Sequence, residues 1–168
     1  HGDEKLSERA VAIFGEEKTL TRDEATAHYR PALKLEGDGR EGKILFGQRC
    51  ALCHRSGQSG AGPDLVTLRN KGAPMLLENL LVPDREVAPQ YSLWEVHLQD
   101  GATLAGVISE EDTRELTLWF ADGTSRKVAR EEITKLVNLN RSLMPTGLVG
   151  GLNLQERANL LAYITDGG

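Results

Sequence analysis

The sequence predicts a mainly α chain carrying a small inserted antiparallel β lobe, α+β overall. Three observations carry that prediction. Apolar residues recur at helical spacing from Gly42 to Cys50, from Met75 to Leu81 and again from Leu154 to Thr165. From Tyr91 to Val137 the period changes to two, punctuated by Asp-Gly pairs. The chain has just two cysteines, in the run Cys50-Ala51-Leu52-Cys53-His54.

Taken in order, residues 1–36 read as an N-terminal helical extension. Ser7 precedes one helical pattern, Arg9 to Phe14. Thr21 with Glu24 gives capping-box spacing for a second, which Pro31 limits. His1 could bind copper through its amino group with a nearby imidazole such as His28. A processing or cloning remnant is the simpler reading of His1, and a solvated helix residue that of His28. Residues 37–168 form the main domain, interrupted by the lobe at 91–137. Asp38 caps a helix on which Gly42, Leu45, Phe46 and Cys50 share a face. Gly42 leaves room for a second helix to approach. Asn153 with Glu156 opens the terminal helix, whose stripe of Leu154, Ala158, Leu161 and Thr165, with Tyr163 at the crossing, makes it the expected partner.

Between these helices, Pro74 opens a run with Met75, Leu76, Leu77, Leu80 and Leu81, apolar on nearly all sides and so expected to be buried. In the lobe, Tyr91 to Leu98 reads as a strand with Trp94, Val96 and Leu98 on one face. Thr103 to Ser109, Glu115 to Phe120, Thr124 to Val128 and a short last strand at Lys135 to Val137 follow. Such strands favour a curled sheet or barrel, since closure covers edges. His97 alternates with Glu95 and Gln99 and reads as solvated.

The cysteine spacing has a chemical reading. Two thiols on one short turn can each add to a vinyl group on one porphyrin edge, and the adjacent imidazole of His54 then falls beneath the iron as proximal ligand. A thioredoxin-like pair needs a βαβ context, which is missing, and a zinc site needs a second ligand pair that the chain cannot supply from cysteine, since Cys50 and Cys53 are its only two. With both cysteines consumed, no disulfide is expected. A ligating histidine has its other nitrogen held by an acceptor, and the carbonyl of Pro63, in Gly62-Pro63-Asp64-Leu65, is the candidate. Met144, in the Pro- and Gly-bounded run Ser142-Leu143-Met144-Pro145-Thr146-Gly147-Leu148, is the candidate distal ligand. Met75 competes by residue type, but its leucine-rich helix marks it as packing. Arg55 and Arg69 are candidate propionate contacts, with solvated arginines the alternative.

Composition limits the rest. A net charge of −5 without a basic stripe argues against nucleic acid. No apolar run reaches membrane-spanning length. No signal peptide is visible at His1, so the chain reads as a mature or trimmed product. Haem attachment to this motif occurs outside the cytoplasmic membrane, so a periplasmic or exported location is expected.

The ordered set CALCH, GPDL, LLENLLVP, the strands from Tyr91, SLMPTGL and LLAYI resembles the haem-binding domain of planctomycetes and their verrucomicrobial relatives, over residues 37 to 166. That resemblance implies a variant of the class I cytochrome c fold. It also implies one covalent haem c on Cys50 and Cys53, His54 and Met144 as axial ligands, and Pro63 as support. Members commonly end large exported dehydrogenase-like proteins. No such region precedes residue 37 here, which implies a free-standing carrier or an excised domain.

The expected function is single-electron transfer rather than catalysis: a c-type cytochrome acting as carrier or relay between redox protein partners, one of which could be a dehydrogenase. Two alternatives stand beside it. One is a haem enzyme or small-molecule sensor with a displaceable Met144. The other makes the β lobe a protein-docking module.

Overall fold

The computed structural model describes residues 22–54 and 60–166. The Arg9 to Phe14 pattern, His1, Ser7, Thr21 and Arg55 lie outside them. Helix α1 (Arg22–Tyr29) leads into a 3-10 turn, Arg30–Lys34, with Pro31 at its start. Then follow α2 (Gly39–Arg49), α3 (Leu65–Leu68) and α4 (Ala73–Leu81). Strands β1 (Ser92–Leu98), β2 (Thr103–Glu111), β3 (Glu115–Trp119), β4 (Ser125–Ala129) and β5 (Ile133–Ser142) precede the terminal α5 (Leu154–Asp166).

The prediction of a mainly α fold with a small β lobe is overturned. The strands form one five-stranded antiparallel sheet, ordered β4-β3-β2-β1-β5, and the molecule is α+β with helices and sheet both major parts. The sheet also has an apolar core of its own: Val96, Leu98, Leu116, Leu118 and Val128 are buried together, flanked by Leu104, Ile108, Phe120, Ile133 and Leu136. Each such burial is worth ~2 kcal/mol, so the sheet does not lean on the helices for its apolar contacts.

The underestimate came from β5. Three residues were expected and the strand runs to ten, because Lys135, Asn138, Asn140 and Arg141 hide the alternation. Two register shifts against β1 interrupt it further, and Asn140 takes a left-handed backbone (φ 50°). Trp94 lies beside one of these shifts and is half-buried outside the sheet core. The sheet is open rather than a barrel, with β4 and β5 as edges. Exposed Arg126 and Lys127 on β4 and Lys135 and Arg141 on β5 discourage further pairing. Asp100-Gly101 and Asp122-Gly123 make the hairpin turns: the glycines sit at φ 86° and 75°, and the Asp100 and Asp122 carboxylates accept from the backbone N–H of Ala102 and Thr124.

The helical core is a second cluster, of Phe46, Cys50, Leu76, Leu77, Val149, Leu152, Leu160, Leu161 and Ile164. Helices α2 and α5 cross where a Cβ on Gly42 would lie 1.9 Å from the Asn159 carbonyl oxygen, so only glycine permits that approach. The Phe46 and Tyr163 rings meet at 5.3 Å beside it. Both helix starts are capped as their sequences suggest: Asp38 accepts from the Arg40 N–H, while Asn153 and Glu156 accept reciprocally from each other's backbone N–H. Tyr29 and Leu33 pack onto this core, and the buried Arg157 guanidinium stacks 3.5 Å over the Tyr29 ring. Helix α4 buries only one side. Leu76 and Leu77 are inside, but Met75 is 48% exposed, against the expectation of burial all round.

Candidate functional site

Cys50 ends α2 as its C-cap, and its position follows from the helix. Phe46, one turn back, is fixed in the α2–α5 crossing, so the helix end projects Cys50 into the same core. A tight turn follows. The Cys50 carbonyl accepts from the N–H of both Cys53 (3.1 Å) and His54 (2.9 Å), which places two thiols and an imidazole on one turn of backbone. The cysteines are not joined as a disulfide. Cys50 is 5% exposed and Cys53 partly exposed. Burial pushes the Cys50 thiol up to about 11, with the Arg49 guanidinium acting weakly in the opposite direction.

His54 is held from two sides. Its Nδ1 lies 2.9 Å from the Pro63 carbonyl oxygen, an acceptor that fixes the proton on Nδ1 and leaves Nε2 with its lone pair. The ring occupies space that any side chain at position 62 would fill: a Cβ on Gly62 would come within 2.6 Å of Cε1. The Gly62 N–H donates to the Cys53 carbonyl at 3.1 Å, tying the Gly62-Pro63 loop back to the turn. Burial lowers the imidazole's basicity, and the Pro63 contact opposes it.

Met144 is partly buried in the loop between β5 and α5, two residues past the end of the sheet's edge strand. Its N–H donates to Ser142 Oγ at 3.1 Å, and the Ser142 N–H donates to the Asp84 carboxylate at 2.7 Å. Downstream, Val149 and Leu152 are buried in the same cluster as Cys50. Arg69 is exposed in the 3-10 turn Arg69–Lys71 that follows α3. His28 stands exposed against Tyr29, and His97 contacts Thr103 and Glu95 in the sheet.

Two contacts escaped the sequence. Arg49 reaches the Met144 loop, its Nη1 donating to the carbonyls of Leu148 (3.0 Å) and Gly150 (3.2 Å). Gly123, in the β3–β4 turn, lies against Leu52 in the middle of the cysteine turn. Only the glycine-rich run Gly147–Gly151 hinted at a loop built to expose carbonyls.

Among the described residues, no three His, Cys, Asp or Glu side chains form a group that could hold a metal ion. The turn's donor set, two thiols and an imidazole oriented through its Nδ1, is the one that a covalently held porphyrin would require.

No protein-family model and no curated protein matches the chain.

Among the described residues no helix is long and apolar enough to cross a membrane, as expected from the sequence.

Proposed function

We propose that this chain is a c-type cytochrome that carries single electrons. Haem c would be held through thioethers to Cys50 and Cys53, with His54 below the iron and Met144 above it. The iron supplies the redox couple; the protein's part is to fix both ligands and exclude water, so that oxidation and reduction need little rearrangement. The single observation that carries this reading is the His54 ring, seated over Gly62 with Nδ1 2.9 Å from the Pro63 carbonyl, on the same turn as both thiols. A surface imidazole with no ligating role needs neither a glycine cut to its ring nor a dedicated carbonyl.

The partners are redox proteins on either side of the transfer, with a dehydrogenase as one candidate. The acidic balance of the chain favours a basic docking face on them. The compartment is periplasmic or extracellular, where such attachment takes place. The ordered motifs that resemble the planctomycete haem-binding domain point the same way.

The test is spectroscopic. Protein produced with a haem-attachment system should retain haem after acid–organic extraction. When oxidised it should show the weak long-wavelength band of methionine-bound ferric haem, and when reduced it should bind carbon monoxide poorly. High-spin ferric haem with rapid carbon monoxide binding would instead make it a ligand-binding sensor or enzyme. Absence of covalent haem would end the proposal.

A further inference from the structure

We infer that Arg49 is a positioning residue for Met144, tying the loop that carries the distal methionine to the helix that carries Cys50. The inference rests on the proposed haem ligation and extends it to a residue outside the ligand set.

The problem Arg49 solves is set by the fold. The sheet and the helices have separate apolar cores, and the loop from Leu143 to Asn153 runs from one to the other. Its upstream end belongs to the sheet: Ser142 is the last residue of β5, pairs with Ser92 of β1, and is anchored by Asp84. Cys50 and His54 belong to the helical side. A ligand attached only to the sheet would follow every small movement of the sheet against the helices. Met144 is therefore held on the helical side as well, downstream of itself, where Val149 and Leu152 are buried in the helical core.

Arg49 adds a polar tether to that stretch. The residue immediately before Cys50 donates two hydrogen bonds from one nitrogen to Leu148 and Gly150. The reverse turn that presents these carbonyls is closed by the Gly150 N–H donating to Gly147 at 2.7 Å, with Gly147 at φ 79°. Pro145 fixes φ just after Met144, so little slack separates the methionine from the tethered turn. A charged donor to two backbone acceptors is also stronger than a neutral one.

The experiment compares wild type with Arg49→Ala and Arg49→Lys, each with haem attached. Added imidazole competes with the thioether for ferric iron, so its apparent Kd falls as the fraction of protein with the methionine released grows. Arg49→Ala should bind imidazole about five- to tenfold more tightly, and backbone amides of residues 147–152 should exchange faster by a similar factor. Arg49→Lys should recover part of both. Faster exchange with an unchanged imidazole Kd would overturn the inference, because the tether would then be structural only. Unchanged exchange would overturn it by showing that the bonds do not hold the loop. A wild type lacking the methionine band removes the ligation itself, an outcome read on the unmutated protein and so distinct from either.

Discussion

Gly123, at the tip of the β3–β4 hairpin, lies against Leu52, the central residue of the cysteine turn: a Cβ there would stand 2.7 Å from Leu52 Cδ1 and 3.2 Å from its carbonyl oxygen. The sheet therefore touches the cysteine turn directly, and its apolar core is not its only role.

Gly123→Ala faces two penalties, a left-handed backbone at φ 75° and the clash with Leu52. The first costs ~1 kcal/mol and the second about as much again, so urea unfolding should show a loss of ~2 kcal/mol. Combining it with Leu52→Ala should recover the clash component alone, because removing the side chain does nothing for φ. A double variant no better than the single would mean that the turn and Leu52 are not in contact.

Gly42 and Gly47 lie on one helix and predict opposite outcomes. A Cβ on Gly42 meets the Asn159 carbonyl oxygen at 1.9 Å, and backbone on a packed helix cannot yield. Gly42→Ala should force α2 from α5 and cost ~3 kcal/mol or more. Nothing lies within 4 Å of a Cβ on Gly47, so Gly47→Ala should stabilise the protein by ~0.5–1 kcal/mol through helix propensity. Equal effects in thermal unfolding would contradict the crossing.

These two glycines mark what a sequence does and does not disclose. The α2–α5 crossing was legible because its ingredients are local: a bare glycine on an apolar face, a capping residue at each helix start and an aromatic on each helix. The Asp-Gly turns were legible because their chemistry is specific to the backbone they require. β5 was not, since an edge strand needs little apolar alternation and its bulges break what there is. Its length in turn decided the balance between helix and sheet. At the site, Pro63 could be named because a ligating imidazole implies an acceptor and a loop follows closely. Arg49 could not: an arginine at a helix C-terminus has a sufficient local explanation in the helix dipole, and backbone carbonyls far along the chain leave almost no trace in sequence.

The two thiols should differ in reactivity before haem is attached. Burial raises the Cys50 thiol from 9.0 to about 11, so the protonated form persists at neutral pH, and the thiolate fraction rises about tenfold per pH unit up to that point. In protein produced without haem, iodoacetamide at pH 8 should label Cys53 well before Cys50, as followed by peptide mass mapping. Labelling of Cys50 should accelerate as pH approaches 11. Equal rates at pH 8 would mean that the end of α2 opens readily enough to equalise the two.

The distal assignment is decided by a pair of methionine substitutions. Met144 is partly buried, in a loop fixed upstream through Ser142 and Asp84 and downstream through Arg49, whereas Met75 is 48% exposed on α4. A thioether favours ferrous iron, and its loss leaves a site that water or an added ligand can enter. Met144→Ala should therefore abolish the methionine band and admit carbon monoxide to the reduced protein. It should also lower the potential by on the order of 0.2 V, within the ~0.8 V that axial ligands span. Met75→Ala should leave all three unchanged, and cost far less stability than a core substitution, because about half of the residue is already exposed. If the band survived at position 144 and vanished at position 75, the ligand would belong to α4 rather than to the loop that follows the sheet.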